Sequence, residues 1–205
     1  MFITFEGIEG SGKSTQCKKL HEFFQSKKID SILTREPGGT KAGELVRAVL
    51  LNEEIEKLEA KSELFLNFAA RIEHVEKLIK PALAAKKYVI CDRFFDSTFA
   101  YQGSAFDLGF DLVEEVKKTA IGDFAPDITF LIDVPLDIAF KRIETRSDNN
   151  RYEKLGLGFH QKVRDGFLLL AKKNPRIKII DGTKSEAEVF AQILGLLPLR
   201  EGRRA

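Results

Sequence analysis

Met1-Phe2-Ile3-Thr4-Phe5 is an apolar, β-branched and aromatic run, and after one glutamate comes Gly7-Ile8-Glu9-Gly10-Ser11-Gly12-Lys13-Ser14. The first stretch reads as a buried strand. The second fits G-x-x-x-x-G-K-[ST], a loop pattern that cradles phosphate. From Lys13 to Lys28, Cys17, Leu20 and Phe24 recur at helical spacing, so a helix opens where the loop ends. Strand, glycine loop and helix in this order commit the start of the chain to an α/β unit.

The residue types explain the chemistry. Gly7, Gly10 and Gly12 allow backbone angles that a side chain forbids, and they let amide N–H groups approach a phosphate. Those amides and the positive end of the helix make an anion site without side-chain charge. Lys13 reaches the β- and γ-phosphates, and the Ser14 hydroxyl suits a Mg²⁺ position. The donor contacts expected here are Gly7, Ile8, Glu9, Gly10, Ser11, Gly12, Lys13, Ser14 and Thr15.

With 205 residues and 43% hydrophobic content, the chain suits one globular domain with a sizeable core. Lys+Arg 33 against Asp+Glu 31 leaves +2, which gives no case for nucleic acid. Cys17 and Cys91 match no metal or redox spacing and read as small buried hydrophobes in a reducing compartment. His21, His74 and His160 show no ligand spacing, so no transition-metal site is assigned. No apolar run approaches the roughly 18 residues of a membrane span. The first residues lack a basic region ahead of an apolar one, so no signal peptide is expected and a cytoplasmic location is the default.

A second strand, Ile29 to Thr34, is closed by Arg35-Glu36-Pro37-Gly38-Gly39-Thr40, a strong break that holds Arg35 and Glu36 at a strand's carboxyl end. Open α/β sheets place ligands at that edge. A helix follows from Lys41 to Leu51 with Leu45, Val49 and Leu50 inward. A longer one runs from Lys61 to Lys80, and Pro81 starts a new turn or kinks it. On its apolar stripe Phe68 and Arg71 share a face. The pattern favours Phe68 as core and Arg71 in a salt bridge, with a platform for a flat base as the alternative.

Tyr88 to Cys91 forms the third strand, with Asp92-Arg93 at its end. Asp92 and Asp133 compete for the Mg²⁺ role, and the charged pair Asp92-Arg93 favours Asp92. Ser97, Thr98, Tyr101 and Gln102 make a polar, aromatic segment of the kind that faces substrate. A helix is expected over Leu112 to Ile121, a continuous apolar strand over Ile128 to Val134, and a helix from Leu136 to about Arg146. Residues 142–154 are too polar to pack and read as a lid carrying Arg142, Arg146 and Arg151. Helix Leu155 to Lys172, strand Ile177 to Asp181 and helix Ser185 to Leu196 complete the chain. The alternation predicts a P-loop three-layer α/β/α domain over 1–205, a five-stranded parallel sheet covered by helices on both faces.

Gly7 to Ser14, Thr34-Arg35-Glu36-Pro37-Gly38-Gly39-Thr40, Asp92-Arg93-Phe94 with Ser97-Thr98, and Ala100-Tyr101-Gln102-Gly103 together resemble the bacterial thymidylate kinases. The resemblance extends through Asp123-Phe124-Ala125-Pro126-Asp127 and the lid, so it spans most of the chain. It implies transfer of a phosphoryl group from ATP to dTMP, with Mg²⁺ and in a homodimer. It further implies that Phe68 stacks on thymine, that Arg71 contacts base or phosphate, and that Arg93 with Arg47 holds the dTMP phosphate. Glu9 would lie by the sugar 3′-hydroxyl and the Mg²⁺ shell, Glu36 near the acceptor, and Tyr101 under the sugar, with Ser97 and Gln102 as further contacts. Members that lack an arginine in the phosphate loop, as this chain does, resemble one another in supplying it from the lid. Arg146 is the first choice, with Arg142 and Arg151 in support, and Glu144 stands where that group is often basic. Lys13, Arg146, Glu9 and Arg93 are the catalytic candidates, and Ser14, Asp92 and Glu9 the metal candidates. Another P-loop nucleotide or small-metabolite kinase, or a nucleotide-controlled binding module, stays open as an alternative at this point.

Overall fold

The computed structural model describes residues 1–52, 54–55, 58–144 and 151–198. Five parallel strands form its sheet: β1 (Phe2–Glu6), β2 (Ser31–Arg35), β3 (Tyr88–Asp92), β4 (Ile128–Asp133) and β5 (Ile177–Asp181), in the order β2-β3-β1-β4-β5. All four pairings are parallel, as the crossover-length connections require. Phe5 lies in register with Asp92, and Asp92 with Arg35. The loops leaving β1, β2 and β3 therefore emerge side by side at one sheet edge.

Side chains alternate across each strand and feed two apolar cores. Phe2 goes to one face with Leu64, Phe68, Val89, Phe94 and Phe167. Ile3 and Phe5 go to the other with Cys17, Leu20, Phe24, Phe130 and Ile193. On the second face lie α1 (Lys13–Ser26) and α9 (Glu186–Leu196), the latter opened by a Ser185–Glu188 capping box. The first face is covered by α3 (Ala60–His74), α6 (Phe110–Ile121) and α8 (Leu157–Lys173). The remaining helices are α2 (Lys41–Leu51), α4 (Lys80–Ala84), α5 (Phe95–Thr98) and α7 (Leu136–Glu144). Among the described residues no helix is long and apolar enough to cross a membrane.

Two expectations change. The helix expected over Lys61 to Lys80 widens into a π-helical turn at Val75–Ile79 before α4 resumes. Pro81 has no N–H to give and its ring crowds the carbonyl a turn earlier, which a wider turn relieves. The inward assignment on α2 holds for Leu50, which is fully buried, but Leu45 is 73% exposed and Val49 42%. Phe65 and Ile72 of α3, at 58% and 38%, add to the same kind of outward apolar surface. The 3.6-residue period finds an apolar stripe but does not say what covers it.

Candidate active site

The loop between β1 and α1 is built as its glycines require. Gly10 has φ 73, and a Cβ there would lie 2.3 Å from the Ala139 carbonyl oxygen of α7. Gly12 caps α1 in the left-handed region at φ 94. Lys13 is buried, and its Nζ donates to the Ile8 carbonyl at 3.2 Å. Burial, with Arg93 close by, pulls its pKa down, opposed by Asp92 and Glu9. The cation is therefore held in reserve against a weak partner, at the mouth of a helix whose dipole favours anions.

Ser14 Oγ donates to Asp92 Oδ2, while Asp92 Oδ1 is buried without a hydrogen-bond partner among the described residues. A hydroxyl beside an unshared carboxylate oxygen fits Mg²⁺, which takes few protein ligands and keeps water and phosphate oxygens for the rest. Among the described residues no group of three or more His, Cys, Asp or Glu is placed to hold a metal. Asp133, the rival, is taken: Arg164 grips it with two bonds at 2.7 and 2.8 Å.

Arg93 is the hub. It has φ 69, and its backbone N–H donates to Phe5 O at 2.9 Å. Its guanidinium donates to Gly7 O (2.9 Å), Ser97 Oγ (3.0 Å), Glu9 Oε1 (2.9 Å) and the Tyr101 hydroxyl (3.1 Å). The Tyr101 hydroxyl in turn donates to Glu9 at 2.6 Å. Burial alone would raise the Glu9 carboxyl, but Arg93, His160, Lys13 and Tyr101 outweigh it and hold the group well below the usual range. Beneath this cluster the buried Glu6 carboxylate accepts from Phe94 N (2.8 Å) and the Ser97 hydroxyl (2.6 Å), fixing the turn that aims Arg93. Burial, reinforced by Asp96, pushes Glu6 up to about 8.

On the far wall Glu36 is not a free carboxylate. It accepts from Arg71 Nε at 2.7 Å and lies 2.9 Å from His74 Nδ1, and His74 Nε2 lies 2.8 Å from Thr34 Oγ1. Arg71 Nη1 is buried and unpartnered among the described residues. Phe68 is core, with the Arg71 guanidinium 4.7 Å over its ring. Of the two readings for this pair, the core residue and salt bridge describe the structure. Arg47 donates to Pro37 O at 2.9 Å.

These groups share one open cleft of about 260 Å³ at the carboxyl edge of the sheet. Glu9, Gly10, Lys13, Ser14 and Asp92 line its phosphate end, and Glu36, Arg47 and Arg71 one wall. Arg93, Ser97, Tyr101 and Gln102 line the other. A second hollow opens across the loop, between Gly10, Ser11, Gly12, Thr15, Arg142 and the Gly182–Lys184 turn. Arg142 donates to Gly182 O at 3.0 Å and reaches the Gly10 and Ser11 carbonyls at 3.5 Å.

Arg151 donates to Glu63 Oε1 at 2.5 Å and to Leu50 O at 3.2 Å. The α3 carboxylate is the stronger partner for a guanidinium that could otherwise swing freely. Arg146 lies outside the described residues. The sequence reading missed Glu6, Glu63, Asn67, Tyr152 and the Gly182–Lys184 turn. Only Tyr152 carried a signal, as an aromatic in a polar stretch. Burial pushes both cysteine thiols well above their usual range, with Asp92 adding at Cys17 and Glu36 at Cys91, so neither is a nucleophile.

The family model for thymidylate kinase matches residues 5–193. A thymidylate kinase of Kosmotoga olearia is 43% identical over 195 residues, covering 95% of this chain and 93% of its own. That of Wolbachia pipientis wMel is 45% identical, covering 95% and 98%. The crystal structure of thymidylate kinase from Ehrlichia chaffeensis superposes with a TM-score of 0.78 at 41% identity, over 97% of this chain and 98% of that one.

Proposed function

The chain belongs to the thymidylate kinase family, and from that premise we propose how its residues divide the work of moving the γ-phosphoryl group of ATP onto dTMP, giving ADP and dTDP. The observation that carries the assignment is the single cleft in which the phosphate loop and Arg93 face one another. Donor phosphates on the loop amides and Lys13 would meet an acceptor phosphate held by Arg93 and Arg47. Such alignment supplies most of what phosphoryl transfer needs, because charge spreads over the equatorial oxygens and little covalent help is required. No general base is needed, since the acceptor is already an anion.

The nucleoside end of ATP fits the second hollow, against Arg142 and the Gly182–Lys184 turn. Ser14 and Asp92 would hold Mg²⁺, with Glu9 near its outer shell; when bound, that charge neutralises phosphate oxygens. Tyr101 and Glu9 close the cleft beside the acceptor sugar, where a ring tied by two hydrogen bonds leaves little room for a 2′-hydroxyl. Arg71 offers its unpartnered Nη1 to the base, backed by Phe68. Ser97 and Gln102 complete the acceptor wall, and Arg146 is the lid arginine assigned to the transferring group. The enzyme is proposed to work as a cytoplasmic homodimer, for which the outward apolar residues of α2 and α3 are the support.

ADP release from ATP–Mg²⁺ with a panel of dTMP, dUMP, AMP, GMP and shikimate tests the acceptor. The expected result is a clear preference for dTMP. Preference for a purine monophosphate or for shikimate would overturn the reading.

A further inference from the structure

Glu6 ends β1 at 1% exposure, beneath the acceptor wall rather than on it. Its two carboxyl oxygens are differently engaged. Oε1 faces the Phe94 backbone N–H at 2.8 Å, a group that can only donate. Oε2 lies 2.6 Å from Ser97 Oγ, a contact that serves a hydrogen bond in either direction. Ser97 Oγ in turn accepts from Arg93 Nη1 at 3.0 Å, and both of these residues line the cleft. A guanidinium never accepts, so the single Ser97 hydroxyl hydrogen cannot point at Arg93. It points at Glu6, or it is released toward the cleft.

Glu6 decides between the two. As a carboxylate, its Oε2 takes the Ser97 hydrogen. As a carboxylic acid, it must carry its proton on Oε2, because Oε1 faces an amide N–H. That proton then fills the line to Ser97, whose two lone pairs accept from Glu6 and Arg93 while its own hydrogen is freed. We propose that Glu6 is a positioning residue for the acceptor phosphate: with a proton on Oε2 it turns the Ser97 hydroxyl into a donor toward the cleft, and without it the donor is withdrawn. The inference rests on Arg93 holding the acceptor phosphate, as assigned above, and adds a second donor beside it under the control of a buried proton.

The surroundings make the acid the resident form at neutral pH. Burial, then Asp96, pushes Glu6 up to about 8, against the pull of Arg93 and of the Ser97 and Phe94 hydrogen bonds. Asp96 on α5 is itself gripped by Arg176 at 2.7 Å, and Lys13 and Cys17 of α1 and Cys91 of β3 lie within electrostatic reach of Glu6. Below 8 the proton is held and Ser97 donates. As pH rises through 8 the donor is lost, and a buried negative charge competes with phosphate for Arg93. Affinity for the acceptor therefore declines as pH rises.

Glu6→Gln makes the acid form permanent. The Phe94 N–H claims the amide oxygen, so the amide NH₂ donates to Ser97 Oγ as the Oε2 proton does. Full-length protein would be titrated calorimetrically with dTMP, without ATP, at pH 7 and pH 9. The wild type should bind about fivefold more weakly at pH 9 than at pH 7. Glu6→Gln should match the wild type at pH 7 within about twofold and hold that affinity at pH 9. Ser97→Ala should bind about fivefold more weakly than the wild type at pH 7 and lose most of the further decline. Any titration of dTMP itself is common to all three proteins. A wild type without the decline, or a Glu6→Gln or Ser97→Ala protein that keeps it in full, overturns the proposal. If Ser97→Ala binds like the wild type at pH 7, the placing of the acceptor phosphate at this wall falls, and the proposal with it. Should Glu6→Gln not fold, infrared spectra of the wild type decide. A protonated-carboxyl C=O stretch present at pH 7 and lost by pH 9 supports the proposal, and its absence at pH 7 overturns it.

Discussion

Lys13 and Glu6 sit at opposite ends of the β1 turn, and both are buried charges whose surroundings oppose their ordinary ionisation. Lys13 has one carbonyl at 3.2 Å for a partner, so the folded protein gains little from it, while the transferring phosphate gains much. Lys13→Ala should therefore leave the melting temperature unchanged or higher while kcat falls by about 10²–10³-fold or more, read by ADP release. Glu6 binds its proton more tightly folded, at about 8, than its ordinary 4.5. From 4.5 to 8 the folded state keeps a proton the unfolded state has lost, so this group's stabilisation is full below 4.5 and declines until pH passes 8. Glu6→Gln, which cannot ionise, should flatten that decline. Urea unfolding at pH 5, 7 and 9 would show the variant gaining on the wild type with each step, and parallel slopes would count against the burial argument.

At the scale of elements, α8 lies close against the π-helical segment Phe99–Ala105, which carries Tyr101 and Gln102. The approach is possible because of Gly166: a Cβ there would stand 2.8 Å from Ser104 Cβ and 3.2 Å from Ala100 Cα. Gly166→Ala should cost about 1–3 kcal/mol in urea unfolding and shift the segment, raising the KM for dTMP more than it lowers kcat. Nothing in the sequence marks Gly166, since close approach between elements distant along the chain leaves no local pattern. The strands were legible for the opposite reason: doubly covered parallel strands are continuous apolar runs, and β5 matches its expected bounds while β4 ends one residue early. The P-loop, Arg93, Ser97, Tyr101 and Gln102 were legible because turn chemistry and a strand's end fix them locally. Glu6, Glu63 and His74 were not, because each acts through a partner more than 35 residues away. The Arg151–Glu63 pair was hidden by the same gap, since the two residues lie far apart along the chain.

For the whole molecule, the question is what covers Leu45, Val49, Phe65 and Ile72. Large apolar side chains exposed together on packed helices α2 and α3 are unusual for a solitary soluble domain. A second copy related by a two-fold axis would bury the same residues twice with one surface. The two helices also carry Arg47 and Arg71 into the cleft, so pairing would stiffen the wall proposed to receive dTMP. Phe65→Asp places a charge where a partner's apolar surface would lie, at a position open enough in the single chain to leave its own core intact. Sedimentation should find the wild type dimeric at micromolar concentration and Phe65→Asp monomeric, with an unchanged circular dichroism spectrum. The monomer should then bind ATP as before but show a raised KM for dTMP, because Arg47 and Arg71 have lost their support. A wild type that sediments as a monomer would end the argument at its first step; a monomeric Phe65→Asp with normal dTMP kinetics would keep the dimer and remove its link to the cleft.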